Sequence, residues 1–155
     1  MTTNTSKISS VKKILLVLAI FMYGGVAAQN WQQDFKIATE LAAKKERPVL
    51  LVFSGSDWCA PCMKLDRKIW QSAAFKEYAI DHLVLLKVDF PRKKANKLSE
   101  EQELHNKNLA EKYNPNGYFP LVLLTDKSGK QIAFMQPLRR ETPANFVERL
   151  KKAIH

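Results

Sequence analysis

A continuous apolar run at residues 49–53, VLLVF, constrains the fold of this chain more than any other stretch of its sequence. The run has no polar position, so it lacks the alternation of a strand that leaves one face in water. Such a strand lies inside a sheet that helices cover on both faces. We therefore predict an α/β fold, and the length of 155 residues indicates one domain with one core.

Helical patterns lie on both sides of this strand. Asn30 can cap a helix in the segment before it, where apolar residues recur at helical spacing. A second helix follows the strand, with Cys62 on its apolar stripe, and Ser72 can begin a further helical turn. The run at 83–90, LVLLKVDF, is a second strand. A strand, a helix and a strand in this order predict a parallel pair with a right-handed crossover.

The second half of the chain continues this alternation. Ser99 begins a helix with the spacing of a capping box. Strands at 121–125 and 131–135 flank the turn DKSG and predict an antiparallel hairpin. Thr142, followed by a proline, starts the last helix. The sequence thus predicts a central mixed sheet of about four strands, flanked by helices, with one helix at the N-terminal end.

The two cysteines, Cys59 and Cys62, follow the central strand at the start of its helix. A disulfide across so short a segment restricts the unfolded chain very little, so a structural staple is disfavoured. A redox pair fits the spacing. A zinc or copper site and a scaffold module with an idle pair remain open, because metal sites also use closely spaced cysteines. His82, His105 and His155 are scattered, without local spacing to the cysteines.

The first 28 residues have the layout of a signal peptide. A polar start with three lysines precedes the apolar run at 14–23, which is shorter than the ~20 residues that cross a bilayer comfortably. Small residues as far as Ala28 predict cleavage before Gln29, which leaves 29–155 as the domain. An uncleaved segment at 1–28 that anchors the chain in the inner membrane is the alternative.

The chain is basic, with a formal charge of +10 from 25 basic and 15 acidic residues. Cleavage would leave about +7. Such a charge favours acidic partners only weakly, because scattered lysines and arginines mostly form a solvated surface. We do not expect nucleic-acid binding.

This order of elements resembles the thioredoxin fold, and particular motifs carry the resemblance. The sequence WCAPC at residues 58–62 is similar to the WCxPC signature of the thioredoxin-like family, and Pro120 stands where family members hold a cis proline. The lead-in GSDWC at 55–59 resembles that of exported thioredoxin-like proteins. The resemblance covers nearly all of residues 31–154. It implies a thiol:disulfide oxidoreductase of the bacterial envelope.

Disulfide exchange needs a thiolate that attacks and a second thiol that releases the mixed disulfide. Cys59 is the candidate nucleophile, because the unpaired amides at a helix start favour its charged form. Cys62, one turn further in, is the candidate resolving thiol. Ala60 and Pro61 complete the active-site loop, and Pro61 shapes the first helical turn without breaking it.

The resemblance also implies where clients bind. The Phe119–Pro120 bond is expected to be cis and to lie against the cysteines, where the backbone of Phe119 pairs with an extended client segment. Trp58 has a packing role or contacts clients. Trp58, Phe119 and Pro120 are therefore the candidate substrate-binding residues, and Phe119 is larger than the residue that is usual at its position.

Thioredoxins usually place a buried carboxylate on the central strand, below the cysteines. This chain has Val52 and Phe53 at the corresponding positions, and neither side chain titrates. Fast reduction of the cytosolic-thioredoxin kind is therefore not expected. Asp57 is the nearest carboxylate in the sequence, and a turn or cap role is favoured for it over proton transfer. Its negative charge would oppose a thiolate at Cys59.

Together these features predict a thiol:disulfide oxidoreductase that acts through the redox-active pair of Cys59 and Cys62, without a cofactor or metal. We expect protein thiols and disulfides as substrates, a membrane or envelope redox partner, and a monomer. A copper or zinc chaperone and a non-catalytic binding module are the alternatives. The direction of electron flow stays open, because loop residues and electrostatics set the potential over more than ~100 mV among such proteins.

Overall fold

A computed structural model of the chain describes residues 29–155. The predicted signal peptide falls on residues 1–28, which lie outside the described residues. Within the described part of the chain, no helix combines the length and the apolar character needed to cross a membrane.

The described residues form a mixed five-stranded sheet in the order β1-β3-β2-β4-β5. Its strands are β1 Trp31–Gln32, β2 Val49–Ser54, β3 Val84–Asp89, β4 Leu121–Thr125 and β5 Gln131–Phe134. Strand β2 pairs in parallel with β3 and antiparallel with β4. Strands β4 and β5 form the predicted antiparallel hairpin. The predicted mixed α/β sheet, with the apolar run in its middle strand, is confirmed.

The helices are α1 Phe35–Lys45, α2 Ala60–Leu65, α3 Ala73–His82, α4 Glu100–Tyr113 and α5 Pro143–Ile154. A π-helical turn, Asp66–Trp70, continues α2, and a 3-10 turn, Lys94–Asn96, precedes α4. The predicted helix starts at Ser72, Ser99 and Thr142 are confirmed. Each hydroxyl oxygen accepts a hydrogen bond from a backbone N–H in the first turn, at 3.2–3.3 Å.

The predicted helix start at Asn30 is wrong. Trp31 and Gln32 instead form the edge strand β1, which pairs in parallel with β3, so the sheet has five strands rather than about four. Helix α1 begins after Asp34, whose carboxylate accepts a hydrogen bond from the backbone N–H of Ile37 at 2.8 Å. The side chain of Trp31 packs edge-on against Trp70, and this tertiary contact together with strand pairing outweighs the helical spacing.

Both faces of β2 are covered, as the apolar run predicts. Leu50 and Val52 face the part of the core that contains Trp70. Leu51 and Phe53 face a second apolar cluster on the other side of the sheet. All four strand side chains are at most 2 % exposed. The carboxyl end of this rigid strand leads directly into the loop that carries the cysteines.

Candidate active site

The two cysteines are joined in a disulfide at the start of helix α2. Cys59 is the N-cap residue, and its Sγ accepts a hydrogen bond from the backbone N–H of Cys62 at 3.3 Å. Both cysteines are 4 % exposed, whereas Ala60 and Pro61 between them are exposed. After reduction, this N-cap position stabilises a thiolate at Cys59, because backbone N–H groups of the first turn face its sulfur.

The predicted proline lies beside the active-site loop. The Phe119–Pro120 bond is cis, as the resemblance implies. Pro120 and Pro61 line the same cavity, so the cis proline borders the helix start. The side-chain amide of Gln136 donates a hydrogen bond to the carbonyl oxygen of Pro120 at 2.8 Å and thereby ties the segment after β5 to this loop.

An aromatic cluster forms the other side of the loop. The ring of Phe119 meets Trp58 and Phe90 edge-on, with centroid distances of 5.4 and 5.5 Å. The indole N–H of Trp58 donates to the carbonyl oxygen of Phe90 at 2.7 Å. A Cβ at Gly55 would lie 2.3 Å from the indole ring, so only glycine at this position allows Trp58 to fold back over the loop. The sequence did not single out Phe90 or Gly55.

Asp57 binds the loop that follows β3. Its carboxylate accepts hydrogen bonds from the backbone N–H groups of Arg92 and Lys93 and from the side-chain amide of Asn96, each at 2.9 Å. These bonds hold the pKa of Asp57 below its ordinary value of 3.8. The bond from Arg92 has the largest effect, and the bond from Asn96 has the next largest. Asp57 therefore orders a basic loop, and the guanidinium of Arg92 lies over the ring of Trp58, 3.8 Å from its centroid.

Replacing Asp57 with asparagine should cause a small decrease in the unfolding temperature at neutral pH, because the neutral amide weakens these charge-assisted bonds. The folded-state pKa of Asp57 is depressed, so its contribution to stability is fully present above pH 3.8, the unfolded value, and is lost as the pH falls through the lower folded value. Thermal unfolding of wild type and Asp57→Asn across this range measures the difference.

The matched control for this prediction is Asp81→Asn, because Asp81 is exposed and makes no hydrogen bond or ion pair within residues 29–155. It should not lower the unfolding temperature; because Asp81 lies in the last turn of helix α3, where a negative charge opposes the helix dipole, a small increase is expected. A difference between Asp57→Asn and wild type that persists unaltered at acid pH would contradict the assigned role of the carboxylate.

No carboxylate of the central strand lies below the cysteines, because Val52 and Phe53 are buried apolar residues. Lys87 stands opposite Val52 on β3, and its Nζ is 3.7 Å from a carboxylate oxygen of Asp66. Both charged residues line a cavity of about 210 Å³ together with Cys62. This pair was not predicted from the sequence, although Asp66 follows Cys62 at the helical spacing that places both on one face.

Comparison with known proteins identifies the family. A family model described as thioredoxin-like matches residues 30–127. The curated protein "Disulfide bond reductase DsbH" of Chlamydia pneumoniae is 38% identical over 130 residues, which are 83% of this chain and 76% of that protein. The chain belongs to the thioredoxin-like family.

Further thioredoxin-like proteins resemble parts of the chain. "Thioredoxin-related protein DsbJ" of Chlamydia pneumoniae is 27% identical over 122 residues, which are 77% of this chain but 34% of that larger protein. A solved structure named "DsbH Oxidoreductase" superposes with a TM-score of 0.74 at 35% identity, covering 86% of this chain and 90% of that chain. Family membership and the disulfide confirm the prediction of a thiol:disulfide oxidoreductase.

The thioredoxin-like fold brings the candidate site residues together from two loops. The loop after β2 and the start of α2 supply Asp57, Trp58, Cys59, Ala60, Pro61 and Cys62, and the loop before β4 supplies Phe119 and Pro120. The catalytic and binding roles of these residues stay predictions.

His105 and His82 make their contacts with residues outside the active-site loop. His105 accepts a hydrogen bond from the backbone N–H of Phe35 at 3.1 Å, and His82 stacks on Tyr78 with ring centroids 4.5 Å apart. Among residues 29–155, no group of three or more histidine, cysteine or acidic side chains is placed to hold a metal ion.

Proposed function

We propose that this protein reduces disulfides of client proteins, with Cys59 as the attacking and Cys62 as the resolving cysteine. The observation that carries the proposal is the disulfide at a helix N-cap beside the cis Pro120. The direction of electron flow rests on the relative named as a disulfide bond reductase.

The reaction follows from the placement of the two sulfur atoms. The thiolate of reduced Cys59 attacks one sulfur of a client disulfide, and a mixed disulfide forms while the other client sulfur leaves as a thiolate. Cys62 loses its proton and attacks the Sγ of Cys59, which releases the second client thiolate. Two electrons pass to the client, two protons from solvent complete its thiols, and the Cys59–Cys62 disulfide remains. A thiol-bearing redox partner of the envelope must then return two electrons.

The neighbouring residues support binding rather than electron transfer. The N–H and C=O of Phe119 make no backbone hydrogen bond within the described chain, so both are available to an extended client strand. Trp58 and the ring of Phe119 offer apolar surface beside the cysteines. Ala60 and Pro61 lie between the cysteines and adjust the redox potential through the loop conformation.

The reduction potential tests the proposed direction. Equilibration with dithiothreitol or glutathione buffers should give a value near the ~−270 mV of thioredoxin, and the reduced protein should reduce insulin. A potential near ~−120 mV, with oxidative refolding of reduced clients and no insulin reduction, would instead make the protein an oxidase.

We also propose that the protein is exported and works as a monomer in the periplasm or as a secreted protein. The support is the charged, apolar and small-residue order of residues 1–28. Because the alternative is an uncleaved inner-membrane anchor, the mass of the protein isolated from its native cell is decisive. A chain that begins at Gln29 supports export with cleavage, and an intact Met1 contradicts it.

A further inference from the structure

A groove extends from the redox centre along one side of helix α2. Its volume is about 220 Å³, and it starts at Pro61 and Pro120. Helix α2 with its π-helical turn forms one wall, and the segment 136–141 after β5 forms the other. We call it the Leu138 groove.

Hydrogen bonds hold the second wall of the Leu138 groove in place. Gln136 donates its side-chain amide to the carbonyl oxygen of Pro120 and accepts a bond from the guanidinium of Arg149 through its own carbonyl oxygen at 3.1 Å. Arg149 also pairs with Glu141 at 2.6 Å, and Glu141 accepts the backbone N–H of Leu138 at 2.9 Å. The groove is therefore a formed feature that is fixed to the cis proline.

The Leu138 groove is apolar inside. Leu65 and Ile69 of the helix wall are buried, whereas Leu138 on the opposite wall is 61 % exposed. A leucine this exposed contributes little to the core, and here it lines the same groove as the buried Leu65 and Ile69. An apolar side chain of a bound segment that covers Leu138 would remove its own surface and the surface of Leu138 from water.

Three cations surround this apolar surface. Lys64, Lys68 and Arg139 line the groove, are exposed, and have no hydrogen bond or ion pair from their side chains within residues 29–155. Lys64 and Lys68 are four residues apart on one wall, a spacing at which like charges repel and destabilise a helix. The carboxylate in the groove, Glu141, is 5 % exposed and already neutralised by Arg149. The rim is therefore positive and uncompensated.

We infer that the Leu138 groove binds the segment of a client protein that flanks its reactive cysteine, and that it prefers segments with an apolar side chain beside acidic ones. The inference rests on the proposed function and adds the substrate class to it. Charge complementarity selects the acidic residues. Because the groove starts at Pro61, which lies between the two cysteines in the sequence, and an extended chain advances ~3.3 Å per residue, the selected residues lie within a few positions of the client cysteine.

Peptide disulfides of matched sequence test the inference. Both peptides contain a cysteine in a mixed disulfide with a small thiol, and a leucine a few residues away from it. Two glutamates follow the leucine in the acidic peptide, and two glutamines follow it in the neutral peptide. We expect reduced wild type to react about tenfold faster with the acidic peptide at low salt, because the small contributions of several exposed charge pairs add up. The preference should shrink at high salt, where the Debye length falls to ~3 Å.

The variant Lys64→Gln/Lys68→Gln/Arg139→Gln should reduce the ratio of the two rates to within about twofold of unity. The ratio is the informative quantity, because a change in the reactivity of Cys59 affects both peptides equally. The control Lys44→Gln/Lys45→Gln/Lys130→Gln removes the same charge at the opposite end of the sheet and should keep the wild-type ratio. Leu138→Ala should slow both peptides and leave the ratio unchanged.

Equal rates with both peptides in wild type, or an acidic preference that survives in the groove variant, would overturn the inference. The small neutral substrate hydroxyethyl disulfide separates this failure from that of the proposed function. If wild type reduces hydroxyethyl disulfide but does not discriminate the peptides, only the groove assignment is wrong. If wild type reduces neither kind of disulfide, the proposed function fails and the groove assignment fails with it.

Discussion

Replacing Cys59 with serine should reduce insulin-reduction activity to the uncatalysed background, whereas replacing Cys62 with serine should trap the protein in mixed disulfides with its clients. A serine hydroxyl at the N-cap keeps the hydrogen bond to the first helical turn but does not form the thiolate that attacks a disulfide. In Cys62→Ser the attack still occurs, but no thiol is left to release the product. Insulin turbidity and non-reducing gels with mass spectrometry measure the two outcomes.

The asymmetry between the two variants is the informative part of this experiment. Both cysteines are 4 % exposed in the disulfide form, so exposure does not assign their roles. The assignment rests on the N-cap position of Cys59, whose sulfur faces the N–H of Cys62. Reduced wild type is the matched control for folding, because it also lacks the disulfide. Trapping by Cys59→Ser, with only background activity and no trapping in Cys62→Ser, would reverse the two roles.

The parts of the fold that the sequence predicts correctly depend on local chemistry. Each predicted cap at Ser72, Ser99 and Thr142 needs only one hydroxyl oxygen and an N–H three residues away, and all three are present. The coverage of β2 on both faces follows from a run without polar residues. The cis bond at Pro120 was predicted only from the family resemblance, because spacing along the chain contains no information about it.

The parts that were missed depend on residues distant in the sequence. Trp31 has helical spacing to the residues after it, but a ring 39 positions away and the edge of β3 decide its conformation. The sequence predicts only a turn or cap role for Asp57. In the folded chain the loop at 92–96 packs against it and supplies three hydrogen-bond donors. The cations of the Leu138 groove were predicted only to be part of a scattered surface charge. Arg139 and Lys64 are far apart in the sequence and line one groove only in the folded chain.

Replacing Trp70 with alanine should destabilise the fold by about 3–5 kcal/mol, the usual cost of truncating a buried tryptophan. Trp70 is 2 % exposed and ends the π-helical turn that continues the helix carrying the cysteines. Its ring contacts Trp31, Phe75 and Phe146 at centroid distances of 5.9, 4.7 and 5.3 Å. These residues belong to separate elements, so one side chain joins the edge strand, helix α3 and helix α5 to the active-site helix.

Urea unfolding measures this loss as a fall in the midpoint at an unchanged slope, because both proteins expose nearly the same surface on unfolding. Trp70→Phe is the matched control: it keeps an aromatic ring against the same neighbours and should lose clearly less than alanine. Domains of this size are stable by only ~5–15 kcal/mol, so the alanine variant should be largely unfolded in moderate urea where the phenylalanine variant is native. Equal midpoints for the two variants would contradict this account, because only phenylalanine keeps a ring against these neighbours and leaves the smaller cavity. A loss below ~1 kcal/mol in both would show that the active-site helix is held to the core by other contacts.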